Sequence, residues 1–248
     1  MNRPSSTWLL MLGVTAWILG AMVAALAGAI LMAFVAGFIP VTLDRWGLPG
    51  SAIFPNPNPL AYALCGMVGF QLTLLAAGLR HGRGALHNPA PLRPRLILGL
   101  AAILGCWAIS VSVLSAAVPA LRDLISGSTS EVLREGSAAG LAILIPGIVL
   151  VAILAPVAEE MFFRGWLWDA LQRRGHGALA TSFITAGLWL ALHALETPAR
   201  VLFLIPAGIV LSYARHRAGG VRASIAVHIA NNSLAAAMMA LAALTAAG

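Results

Sequence analysis

The chain has 248 residues, 60% of them hydrophobic and only 9% charged, with a net charge of +7 and a mean hydropathy of +0.92. Soluble domains carry about 25% charged residues, and no water-soluble fold of this length hides so much apolar surface. Lipid is therefore the solvent, and the composition specifies an all-α, polytopic transmembrane bundle. The positive charge belongs to the cytoplasmic loops of such a protein, so nucleic acid is not an expected partner and membrane lipids are. All 15 basic residues are arginine. With the abundant Ala and Gly, this suggests a GC-rich bacterial genome and hence a bacterial inner membrane.

Apolar runs of about 20 residues define seven expected spans: Trp8–Ile39, Leu60–Leu79, Leu96–Val118, Ala138–Val157, Ala178–Leu195, Val201–Ala214 and Ala223–Ala246. A re-entrant segment would raise the number of helices to eight. The first run is long enough to tilt or project. It contains Ala25-Leu26-Ala27, which looks like a signal-peptidase site, but the apolar run continues past it and an uncleaved helix is expected. The sixth is short and interrupted by Pro206. Between the spans lie "FPNPNP" (Phe54–Pro59), a basic loop from Arg80 to Arg95, and a mixed loop from Arg122 to Gly136. With the N-terminus cytoplasmic, eleven of the 15 arginines fall inside and four outside, the asymmetry that sets orientation. Cys65 and Cys106 each sit in an apolar run, where a thiol packs as a small hydrophobe.

An ionisable residue at membrane depth costs about 2.5–3.5 kcal/mol on insertion scales and is functional by default. Three groups qualify. In "PVAEEMFFRGWLW" (Pro156–Trp168), Pro156 is expected to end the fourth span, with a new helix from about Val157 to Arg173. On that helix Glu160 and Arg164 are an i,i+4 pair in the favourable order. Glu159 points about 100° away, and its i+4 neighbour is Phe163. A carboxylate without a charge partner in apolar surroundings suits a general base. A helix N-terminus at the interface would also account for both acids.

The second group is His193 in "GLWLALHAL", which an interhelical hydrogen bond would equally explain. The third is "SIAVHIANNSL", where His228 and Asn232 share one face as i and i+4. Their donors converge as an oxyanion site requires, while Asn231 turns off that face. One carboxylate, two imidazoles and a carboxamide on three apolar segments suit amide hydrolysis. No HExxH, GxSxG or P-loop occurs, which removes the zincin helix, the nucleophile elbow and the nucleotide site.

At these residues the sequence resembles the CPBP intramembrane proteases, the CAAX-protease and bacteriocin-processing family that includes the type II CAAX prenyl endopeptidases. "EEMFFRG" fits EExxxR at Glu159, Glu160 and Arg164. "WLALH" fits FxxxH at His193, with Trp189 where the family has Phe. "HIANN" fits HxxxN at His228 and Asn232. The resemblance covers roughly residues 143–235. It divides the single membrane domain into N-terminal helices and loops (1–137) and a catalytic core (138–248). It implies an endopeptidase acting on a membrane-associated peptide or protein, CAAX-like or bacteriocin-related. Glu159 and His193 would activate water, and His228 and Asn232 would hold the oxyanion. Glu160 and Arg164 would support the site, with Trp189 packing beside them. A metal-free glutamate mechanism explains these residues without a cofactor, and a divalent metal such as zinc held by Glu159, His193 and His228 is the alternative.

Two other functions use the same residues. A small transporter would run a proton relay through Glu159 and the histidines, and a non-catalytic scaffold or immunity protein would bind a partner in an apolar groove. One geometric difficulty accompanies the hydrolase reading. Glu159 falls near the inner end of the fourth expected span, whereas His193 lies about 22 Å along the fifth. The expected resolution is a cavity open to the cytoplasm and a re-entrant or strongly tilted segment near residues 157–173.

Overall fold

The structure, a computed structural model, describes residues 6–49, 59–82, 93–121, 141–196 and 198–246. Phe54–Asn58, the basic loop between residues 83 and 92 and the loop from Arg122 to Gly136 lie outside the described residues. Seven helical runs follow in chain order: α1 (Thr7–Arg45), α2 (Pro59–Gly82), α3 (Pro94–Ala117), α4, α5 (Ala178–Glu196), α6 (Arg200–Ala218) and α7 (Val221–Ala246). The run α4 is continuous but changes pitch. It is α-helical over Leu141–Val149, widens to π over Leu150–Leu154, tightens over Ala155–Glu160, widens again over Met161–Leu167 and closes with Trp168–Gln172.

No strand occurs among the described residues. Among the described residues, five helices are long and apolar enough to cross a membrane: Thr7–Arg45, Ala61–Gly82, Pro94–Ala117, Ile145–Gln172 and Ala178–Leu195. Each of the seven apolar runs of the sequence contains a helix. At 39 residues, α1 is about 58 Å long, nearly twice a hydrocarbon core of ~30 Å. Its projection beyond the bilayer follows from length alone.

Two expectations about proline are corrected. Pro156 does not end the fourth span, and residues 157–172 continue the same helical run from Leu141 rather than forming a separate re-entrant segment. The reason is the π turn just before it. There the Ala155 amide reaches back five residues to the carbonyl of Leu150. The next bond in that register would run from residue 156 to the carbonyl of Val151. Proline has no N–H to make it, so the wide turn confines the loss to one carbonyl. Pro206 likewise sits inside α6. Trp107 Nε1 on α3 donates to the carbonyl of Phe203, in the turn before it, at 2.9 Å.

The helix α4 is the core. Of an 18-residue apolar stretch within Ile145–Gln172, 61% is buried inside the bundle, against 6–28% of the corresponding stretches in the other four spans. Phe162, Phe163, Leu167 and Leu171 of α4 are fully buried and anchor the main apolar cluster with Leu74, Leu104 and Leu211. On one side α2 lies against the second wide turn, brought close by glycine. A Cβ on Gly78 would stand 2.8 Å from the carbonyl carbon of Met161, and one on Gly82 would stand 2.8 Å from the amide of Trp166. In turn α2 holds α1, where a Cβ on Gly28 would meet the Cys65 carbonyl oxygen at 2.6 Å. Such small-residue contacts let membrane helices pack backbone to backbone. The helix α7 runs antiparallel to α4: Val221 packs on Met161 and Ala236 packs with Val151.

Gly78→Ala is therefore expected to cost about 1–3 kcal/mol, the range for overpacking a tight contact, and to lower the melting temperature in detergent. Gly99→Ala on α3, where nothing lies within 4 Å of the new Cβ, is expected to leave it unchanged.

Candidate active site

The difficulty over depth disappears with the true length of α4. Glu159 lies thirteen residues before Gln172 and His193 fifteen residues after Ala178, about 20 and 22 Å along adjoining helices. The first turn of α7 begins against Met161, deep in the bundle, so His228 two turns later reaches the same level. Glu159, His193, His228, Asn231 and Asn232 line one cavity, together with Gln71, Trp189 and Arg200. Its volume is about 90 Å³. A single water needs about 10–15 Å³ by this kind of measure, so several fit.

The two acids divide as their helical positions require. Glu160 is fully buried and holds the equally buried Arg164 at 3.0 Å, Oε1 to Nη1. The same oxygen lies 3.1 Å from His228 Nδ1, a bond absent from the sequence reading. Since an ionised carboxylate only accepts, Nδ1 carries the hydrogen, and Nε2 of His228 is the nitrogen left for the cavity. Arg164 also faces the indole of Trp189, 5.2 Å from its centroid.

Among the described residues, Glu159 has two N–H donors and no ion-pair partner. Trp189 Nε1 donates to Oε2 at 2.6 Å, and Gln71 Nε2 donates to Oε1 at 3.1 Å. Trp189 thus does more than the packing expected of it, because the phenylalanine it replaces in the resembling motif has no N–H. His193 Nδ1 stands 3.0 Å from the carbonyl of Trp189, one turn back on α5. A carbonyl can only accept, so the hydrogen is on Nδ1 and the Nε2 lone pair is available.

Asn232 lines the cavity and also makes a backbone contact. Its Nδ2 donates to the carbonyl of Val151 at 3.0 Å, the acceptor that Pro156 leaves unserved. Its Oδ1 accepts from Asn231 Nδ2 at 3.2 Å. One of the two Nδ2 hydrogens remains for the cavity. The second wide turn is secured in the same manner from α6. Arg215 Nε donates to the carbonyl of Arg164 at 2.7 Å, and its Nη2 pairs with Asp169. Wide turns of this type recur at functional sites, and here each is held by a polar side chain from another helix.

Gln71, Asp169 and Arg215 were absent from the sequence reading. Asp169 and Arg215 stand forty-six residues apart with no spacing to link them. Gln71 is one of the few polar residues inside a long apolar run, the signal that could have marked it.

Among the described residues, no group of three or more His, Cys, Asp or Glu side chains gathers as a metal site. The oxygens of Glu159 instead receive N–H donors, a cradle for an anion. Glu159, His193 and His228 as placed do not fit a zinc ligand set.

Residues 141–234 match the family described as type II CAAX prenyl endopeptidase, Rce1-like. The fold is that of a multi-pass, all-α membrane protein whose polar side chains from several helices line one cavity. The family match makes residues 141–234 similar to the type II CAAX prenyl endopeptidases. Neither the curated proteins nor the solved structures contain a match to the chain.

Removing one member of a buried ion pair costs about 3–5 kcal/mol. Arg164→Met is therefore expected to destabilise the protein by that amount, read as loss of detergent-solubilised, cooperatively melting material. The Pro156–Asn232 relation is tested by a double-mutant cycle. Asn232→Ala alone strands the Val151 carbonyl. With Pro156→Ala present an amide is restored nearby, and the penalty is expected to shrink by about 1 kcal/mol.

Proposed function

We propose that the chain is an intramembrane endopeptidase that uses Glu159 as general base toward a water held in the buried cavity. The observation that carries this reading is the contrast between adjacent acids. Glu160 is neutralised by Arg164 and His228, whereas the donors to Glu159 among the described residues, Gln71 and Trp189, are uncharged and Glu159 lines the cavity.

In this mechanism Glu159, assisted by the Nε2 lone pair of His193, takes a proton from water as the oxygen attacks the peptide carbonyl carbon. The carbonyl π electrons move onto oxygen. His228, as an imidazolium braced by Glu160, donates Nε2–H to that oxyanion, and the free Nδ2 hydrogen of Asn232 adds a second donor. Collapse re-forms the carbonyl and expels the amine, which takes the proton from Glu159. Donors fixed in a water-poor site stabilise developing charge more than they would in water. The similarity of residues 141–234 to the CAAX prenyl endopeptidases supports a peptide or protein substrate, here taken as membrane-associated and cleaved near or within the bilayer.

General-base catalysis is worth about 10²–10⁴-fold. Glu159→Gln is expected to lower cleavage at least ~100-fold while leaving insertion and melting intact. The measurement compares peptide termini in membranes carrying wild type or the variant, and cleavage of internally quenched peptides with and without a C-terminal prenyl group. Full activity in Glu159→Gln overturns the reading. Proton-coupled solute flux lost in the variant, with no new termini, would instead identify a transporter.

A further inference from the structure

The helix α2 lies outside residues 141–234, yet one of its side chains enters the cavity. Gln71 is 6% exposed, and its Nε2 donates to Glu159 Oε1 at 3.1 Å. Because the carboxylate only accepts, this contact fixes the orientation of the amide, with nitrogen toward Glu159 and oxygen on the other arm. That oxygen, Oε1, is buried and has no partner among the described residues. A buried acceptor left unmet is costly, and methionine or leucine would fill the same space without that cost.

The cavity supplies what Oε1 lacks. Gln71 and Glu159 both line it, and it has room for water. A water set between them donates one hydrogen to Gln71 Oε1 and the other to the Glu159 carboxylate. Both its hydrogens are then occupied, and its lone pairs turn away from the wall toward the space a substrate carbonyl would enter. The geometry points to Gln71 as a positioning residue of the hydrolytic site: it aims the carboxylate through Nε2 and orients the attacking water through Oε1. The close approach of Gly78 to Met161, two turns further along α2, sets the depth at which Gln71 meets Glu159. The catalytic assembly therefore extends to a helix that the family match does not reach. This inference rests on the reading of Glu159 as the base.

The test uses full-length protein in detergent and the internally quenched peptide that wild type cleaves fastest. Gln71→Met keeps the length of the side chain and removes both amide atoms. The expected result is a fall in kcat of about 10- to 100-fold, the scale of a misplaced nucleophile, with KM within about twofold and melting unchanged. The infrared carboxylate band that disappears in Glu159→Gln is expected to shift in Gln71→Met. A wild-type kcat, or a loss carried by KM alone, overturns the inference. If Gln71→Met melts early, Gln71→Asn, which keeps the amide but withdraws it by one methylene, is expected to lose kcat in a folded protein, and unchanged kcat there overturns it too. An inactive Glu159→Gln beside a fully active Gln71→Met sinks this inference alone, whereas an active Glu159→Gln sinks the parent reading.

Discussion

An arginine with no solvent exposure cannot give up its proton, so its charge has to be met where it stands. In this bundle Glu160 meets it. The pair places a carboxylate oxygen at a fixed point in the interior, and that oxygen receives the Nδ1 hydrogen of His228. The imidazole is thereby oriented, which in turn fixes how α7 faces α4. Glu160 reaches both partners, and the residue before it on the helix, Glu159, is turned into the cavity. Loss of the arginine would leave a bare buried carboxylate and an unanchored histidine. The roles of the two glutamates thus come from one ion pair and the pitch of one helix.

The pitch itself is adjusted locally. A regular α-helix through Pro156 would have strained or broken near that residue. The wide turn before it leaves a single unpaired carbonyl, and α7 supplies the amide that covers it. The second wide turn exposes the Arg164 carbonyl to Arg215 from α6. Both irregularities flank Glu159 and Glu160, so the helix is least regular where its side chains have most to do. Each irregularity ties the central helix to a later one, binding distant parts of the chain through backbone acceptors.

Much of this was legible in the sequence. Hydropathy gave the seven helical runs, because a lipid solvent leaves few alternatives to an apolar helix. The Glu160–Arg164 pair followed from i,i+4 spacing, and the polar residues of α5 and α7 stood out by their surroundings. What was not legible depended on contacts between helices. Pro156 read as a terminator because the rule describes an isolated helix, and the π turn that accommodates it has no residue signature. Asn232 looked like a free donor because its partner is a backbone carbonyl eighty-one positions away. Trp189 passed for packing because its N–H matters only once Glu159 lies beneath it. Gln71, on a helix with no motif, had nothing to set it apart except polarity.

The placing of the cavity has its own implication. In an intact helix each peptide carbonyl already accepts from the amide four residues on and is ringed by side chains, so Glu159, His228 and Asn232, which line one hollow from different helices, could not surround it. Any peptide cut there would have to unravel first and present its chain as a single thread. Segments that uncoil readily, such as fraying ends or stretches near glycine and proline, would then be favoured over stable helices whatever their side chains. Selection in such an enzyme would depend on how easily a segment loses its own structure.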